Sequence, residues 1–186
     1  GNISNVTRAI QHLGYDVILT CDDKDVQKAE AIVLPGVGHF QDAMHSIEEK
    51  SIKDMLKNIH DKPVIGICLG MQLLFQHSAE GDVSGLELVP GNIVPIQSSH
   101  PIPHLGWNEL KSTHPLLQSD VYFVHSYQAE MSEYVVAYAD YGTKIPGVIQ
   151  YRNYIGIQFH PEKSGTYGLE TVSYTHLRAH ETKANL

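Results

Sequence analysis

In "ISNVTRAIQHL", residues 3–13, apolar side chains recur at positions 3, 6, 10 and 13, the spacing of one helix face, and Gly14 closes the run. "YDVILT" (15–20) then reads as a strand, and "AIVLPG" (31–36) as a second strand buried on both faces. An amphipathic stretch from about 39 to 59 predicts a helix, and "PVIGIC" (63–68) predicts a third buried strand. Strands alternating with helices imply an α/β fold, with a central, mostly parallel sheet and helices on both of its faces. After residue 80 the rhythm changes. "LELVPGNIVPI", "GWNEL", "VYFVHSY", "YVVAYADYG", "GVIQY" and "IGIQFH" are short strand-like pieces cut by Pro and Gly, so antiparallel strands are expected to be added to the sheet.

No repeat or linker divides the chain, and one domain over residues 1–170 is expected. The stretch 171–186 forms an atypical polar tail without a core-facing stripe. Gly1-Asn2 stands directly before a helix, where a parallel domain normally opens on a strand, so a first strand is expected to be missing.

Composition narrows the function classes. The 186 residues are 42% hydrophobic and 18% charged, a globular balance. Thirteen Lys and Arg against 21 Asp and Glu give a net charge of -8 with no basic stripe, which argues against nucleic-acid binding. No apolar run approaches the roughly 20 residues that span a bilayer. Cys21 and Cys68 make no disulfide or metal pattern, which fits a cytoplasmic protein. Twelve histidines show no HxH or HExxH spacing, and Pro101 and Pro103 keep His100 and His104 from aligning on a helix. No metal is expected.

Candidate chemistry begins at Gly66-Ile67-Cys68-Leu69-Gly70, between a buried strand and the helical "MQLLF". Small neighbours allow a tight, strained turn that presents the middle side chain at the strand's carboxyl end, as in a nucleophile elbow. The following helix terminus is expected to lower the thiol's pKa. A packed core cysteine is the competing reading. A thiolate attacking a carbonyl needs a proton carrier and an orienting partner for it. His160 ends an apolar strand, Pro161 stops that strand, and Glu162 stands two residues on, within reach of the imidazole. Pro35-Gly36-Val37-Gly38, after another buried strand, can turn backbone N–H groups toward a developing oxyanion, and the Leu69 N–H can add a second donor. One such donor is worth about 3 kcal/mol in the transition state.

Together, the PGVG turn, GICLGMQLLF, PHLGWN (103–108), YFVHSY (122–127) and GIQFHPEKSG (156–165, with Ile155 before it) resemble the class I (triad-type) glutamine amidotransferases. More narrowly, they are similar to the glutaminase subunits of imidazole glycerol phosphate synthases, over residues 1 to about 170. The resemblance implies an open α/β sandwich and hydrolysis of glutamine to glutamate and ammonia, without a cofactor. It implies Cys68 as nucleophile, His160 as proton carrier and Glu162 as its orienting partner. Gly36, Val37 and Leu69 would form the oxyanion hole, and Gln72, Ser126 and Tyr127 would hold the substrate's amino-acid head. The implied partner is a HisF-type (βα)8 barrel cyclase, which uses the ammonia on a ribulosyl nucleotide to give imidazole glycerol phosphate and AICAR for histidine biosynthesis. Pro103, Trp107, Asn108 and Lys163 match segments near that interface. A dry passage between subunits makes sense, because ammonia in neutral water is mostly protonated. Beyond Glu170 the sequence departs from the family pattern. Three alternatives stand beside this reading: another subunit of the same superfamily, such as one serving vitamin B6 synthesis; a cysteine hydrolase of γ-glutamyl peptides; and a scaffold that has lost the chemistry.

Overall fold

The computed structural model describes residues 2–36, 38–166, 168, 170 and 171. The opening helical stripe forms α1 (Asn2–His12), with Val6 buried and Ile10 packed beside it. A short helix follows, α2 (Asp23–Lys28), which the apolar pattern does not announce. Its signal is polar: the side chain of Asp22 accepts the Lys24 N–H at 2.8 Å, an N-cap. Next come β1 (Ile32–Gly36), α3 (Phe40–Glu49), α4 (Ile52–Lys57) and β2 (Val64–Cys68). The single helix expected over 39–59 is therefore two, broken at Ser51, whose φ of 55° lies in the left-handed region.

Residues 15–20 do not form the expected strand. Ile18 and Leu19 are 70% and 72% exposed, and no described strand pairs with them. A strand needs an edge to take up its N–H and C=O groups, and alternating side chains alone cannot supply one.

After β2, α5 (Leu69–Leu73) leads into the strand-rich half. This half contains β3 (His77–Ser78), β4 (Val83–Ser84), β5 (Asn92–Pro95), β6 (His104–Glu109), β7 (Asp120–His125) and β8 (Tyr127–Ala129). It ends with β9 (Val135–Asp140), β10 (Lys144–Tyr151) and β11 (Tyr154–Ile157). The central sheet runs β1-β2-β11-β10-β9. Its first three strands are parallel; β10 and β9 extend it antiparallel. A second sheet runs β4-β3-β5-β8, and β6 and β7 form a separate antiparallel pair.

Alternation along β2 divides the core between the two faces. Val64 joins Phe40, Met44, Leu56 and Met71 from α3, α4 and α5 on one side. Ile65 and Ile67 join Val6 of α1, Phe123 of β7 and Ile157 of β11 on the other. Each fully buried aliphatic side chain of this kind contributes roughly 1.5–3 kcal/mol. Helices thus cover both faces, and the carboxyl ends of β1, β2 and β11 are left side by side.

Candidate active site

At the tip of β2 the chain turns sharply. Cys68 has φ 56° and ψ −114°, a conformation that costs on the order of 1–3 kcal/mol for a residue with a side chain. The turn closes because glycines allow backbone to pack on backbone. A Cβ on Gly70 would stand 1.9 Å from the Leu34 carbonyl oxygen, and one on Gly66 would stand 2.5 Å from the Gly70 oxygen. A Cβ on Gly36 would meet the Gly70 nitrogen at 2.4 Å. Register pairs Gly36 with Cys68, so the chain leaves β1 beside the elbow.

On the other side of β2, the pairing of Ile157 with Ile67 brings the residues that follow β11 level with the elbow. Phe159 is fully buried, and the His160 N–H donates to the Tyr122 carbonyl at 2.9 Å. Pro161 opens a single 3-10 turn, Pro161–Lys163, which folds Glu162 back under the imidazole. His160 Nδ1 lies 2.8 Å from Glu162 Oε1, with both side chains nearly buried. A carboxylate only accepts, so Nδ1 carries the proton and Nε2 keeps its lone pair. The Cys68 Sγ donates to the Phe159 carbonyl at 3.3 Å.

The thiol differs from expectation. Burial pushes its pKa up, the Glu162 charge adds to that, and Lys163 only partly opposes them. Helix α5 is five residues long, too short for its terminus to outweigh desolvation. The sulfur is held as a neutral thiol, and its activation requires a base to remove the proton.

Cys68 and His160 line one cleft of about 500 Å³, together with Gly36, Leu69, Gln72, Ser126 and Tyr127. Val37 lies outside the described residues. Gln72 is buried and spends its amide on the Tyr127 carbonyl and on Gln158 Oε1, both at 3.1 Å. A family model for class-I glutamine amidotransferases matches residues 1–176. The chain belongs to the class-I glutamine amidotransferases.

The amidotransferase sequence is 98% identical over 173 residues to imidazole glycerol phosphate synthase subunit HisH of Staphylococcus epidermidis strain RP62A, covering 93% of this chain and 90% of that protein. It is 64% identical over 173 residues to the protein of the same name from Staphylococcus saprophyticus, covering 93% and 87%. Among solved structures, a glutamine amidotransferase aligns with a TM-score of 0.79 at 16% identity over 97% of this chain and 95% of that one. A glutamine amidotransferase from Thermotoga maritima aligns at 0.55 and 15% identity, over 98% and 79%. At such identities the likeness concerns the fold.

Five lining residues of the amidotransferase cleft are given no role by the sequence reading: His39, Glu80, and Val124, His125 and Gln158, which stand inside the quoted motifs. His39 Nε2 lies 3.5 Å from Glu80 Oε1, which also accepts the Phe40 N–H at 3.2 Å, so the loop after β3 braces the turn after β1. No local pattern links Glu80 to His39 and Phe40, 41 and 40 positions away. His125 was detectable: it follows Val121 and Phe123 on the inward side of β7, a buried position by alternation alone.

The residues matched to an interface divide by face. On β6 and β7, Leu105 pairs with Val124 and Trp107 with Tyr122, all pointing away from the core. Trp107 is 59% exposed and meets the Tyr122 ring edge-on at 5.9 Å; Lys163 Nζ lies 5.9 Å from the center of that ring. Pro103 is exposed beside them. Asn108 faces inward, where its side-chain amide donates to the Asp140 carbonyl at 2.9 Å.

Proposed function

We propose that this chain is the glutaminase subunit of an imidazole glycerol phosphate synthase, hydrolysing glutamine and passing the ammonia to a HisF-type (βα)8 barrel cyclase. The observation that carries the reading is the meeting of a strained Cys68 with the His160–Glu162 pair on one cleft. The 98% identity to a named HisH supplies the pathway.

Glutamine enters with its amide carbon over the sulfur and its amino-acid head against Gln72, Ser126 and Tyr127. His160 Nε2 takes the thiol proton as sulfur attacks the carbonyl carbon. The charge that moves to oxygen is met by backbone N–H groups of the segment at Gly36 and of Leu69. Collapse of the tetrahedral adduct breaks the C–N bond, and His160 returns the proton to the departing nitrogen, giving ammonia and a glutamyl thioester. Water then attacks the thioester with His160 as base, releasing glutamate and restoring the thiol. Throughout, Glu162 holds the tautomer and stabilises the imidazolium.

The exposed ladder of Leu105, Val124, Trp107 and Tyr122, with Pro103 and Lys163 at its margin, is the surface we assign to the cyclase; Asn108 supports it from beneath. Its aromatic and apolar members have the composition of an interface core, with the basic Lys163 at the rim. The reaction belongs in the cytoplasm, where both free cysteines remain reduced.

The test is ammonia release from glutamine, measured for the chain alone and with a HisF-type subunit carrying its nucleotide ligand. Glutamate and ammonia in equal amounts, rising strongly on addition of both, support the assignment. Stimulation by a different acceptor subunit would reassign the chain within its family.

A further inference from the structure

Two buried histidines near the cleft have no part in the chemistry above. His104, on β6, and His125, at the end of β7, are cross-strand partners. His104 Nδ1 and His125 Nε2 lie 2.9 Å apart. Beyond this contact, His125 Nδ1 lies 2.8 Å from the Tyr127 carbonyl, and His104 Nε2 lies 3.1 Å from Asn108 Nδ2.

Each end of this row rests on a backbone group, and that decides every proton in it. The Tyr127 carbonyl can only accept, so His125 carries its proton on Nδ1 and presents a bare Nε2. His104 must then donate from Nδ1, which leaves its own Nε2 bare. That nitrogen accepts from Asn108, whose amide orientation is set independently: Oδ1 accepts the Glu109 N–H at 2.8 Å, and Nδ2 also donates to the Asp140 carbonyl. The row therefore donates in one direction, from Asn108 through His104 and His125 to Tyr127. A proton added to either ring would face another N–H. The titratable groups around the pair are each other, His160 on the cleft side and Tyr141, whose ring packs 4.2 Å from His104 between centers. Burial lowers both pKa values, to about 4 for His104 and about 3 for His125, in keeping with neutral rings.

The carbonyl at the end of the row is the one that also accepts from Gln72. We propose that His104 and His125 are positioning residues for the glutamine head: their fixed-tautomer hydrogen-bond row anchors the Tyr127 carbonyl, and through it Gln72, at the wall of the substrate cleft. The proposal rests on the glutaminase reading and adds two residues to it. Hydrogen bonds aligned in one sense polarise one another, so the terminal carbonyl is held more firmly than by a single donor.

The first test needs no substrate. Long-range ¹H–¹⁵N NMR of the histidine rings in the whole chain is expected to show both His104 and His125 as Nδ1–H tautomers, uncharged from pH 8 to pH 5.5. An Nε2–H tautomer or a charged ring at either position would overturn the row. The second test is kinetic, with the cyclase and its ligand present. His125→Leu is expected to raise KM for glutamine roughly tenfold with a smaller change in kcat, and His125→Asn, which keeps a donor at the δ position, to restore most of it. His104→Leu and His104→Asn should form the same pair with smaller effects. A merely structural role would lower active enzyme, seen as kcat, and leave KM in place; that pattern in folded variants, checked by circular dichroism, would overturn the proposal. Absence of wild-type turnover would overturn the functional reading and the substrate half of this one, whereas a wrong tautomer overturns the row alone.

Discussion

Gly70 sits so close to Leu34 that a β-carbon on it would stand 1.9 Å from the Leu34 carbonyl oxygen. Backbone faces backbone at this point, and neither side can swing away as a flexible side chain would. The first turn of α5 is thereby locked to β1, and the strained Cys68 backbone is held in place. Gly70→Ala is expected to destabilise the fold by at least about 3 kcal/mol, the upper part of the overpacking range, as measured by urea denaturation. A loss below about 1 kcal/mol would mean that the elbow is not clamped in this way.

Cys68→Ala removes the only atom proposed to bond the substrate. Ammonia release should fall at least about 10⁴-fold while binding to the cyclase stays unchanged, because the sulfur is no part of the ladder assigned to the cyclase, although Val124 borders both. Reactivity gives a second check. Burial raises the Cys68 pKa and shields its sulfur from reagent, whereas Cys21 is exposed. Alkylation by iodoacetamide, followed by peptide mass spectrometry, should modify Cys21 first. Labelling of Cys68 should continue to climb with pH through 9 without a plateau.

Glu162→Gln keeps the shape beside His160 but removes the charge that favours Nδ1–H and the imidazolium. Without it the amide can donate instead, and the ring can settle in the wrong tautomer. The expected fall in kcat is on the order of 10²- to 10⁴-fold, with little change in KM, in steady-state glutaminase assays. A variant with near-normal kcat would remove Glu162 from the machinery.

Much of this site was legible from sequence because its parts stand at strand ends. The G-x-C-x-G string after a buried run and the His-Pro-Glu after another both announce a chain that stops and turns. What could not be read is which atoms face one another. The raised pKa of Cys68 comes from its burial and from the charge of Glu162, more than 90 positions away, so a local argument from the helix terminus pointed the wrong way. The strand expected at 15–20 failed for the same reason: side-chain pattern is local, whereas pairing needs an edge supplied by another segment. His39 and Glu80 meet only because the loop after β3 reaches across to the turn after β1.

Acid stability should report the two inward histidines. Their folded pKa values lie below the ordinary 6.5, so the unfolded chain binds protons more readily than the native one. Their contribution to stability is present above pH 6.5 and is lost as pH falls toward 4 and 3. Urea midpoints of the chain should drop over that window, with a slope of up to about 1.4 kcal/mol per pH unit for each proton taken up. Replacing both histidines by asparagine should flatten the curve between pH 6.5 and 4. A wild-type profile already flat there would contradict their burial as neutral rings.

Trp107 provides the contrast with these inward groups. It is 59% exposed on β6, held mainly by edge contact with Tyr122, and its removal takes little from the core. Large apolar surface left in water on a flat two-stranded ribbon is costly to leave uncovered and favourable to bury against a partner. Trp107→Ala should therefore leave the urea midpoint of the isolated chain nearly unchanged while weakening cyclase binding by about 2–4 kcal/mol, the range of an aromatic anchor at an interface center, as read by calorimetric titration. Asn108→Ala should show the opposite balance, because its amide is spent on His104 and Asp140 of its own chain. If Trp107→Ala destabilised the free chain and left the complex as tight as before, the outer ladder would be part of the fold and the cyclase would dock elsewhere.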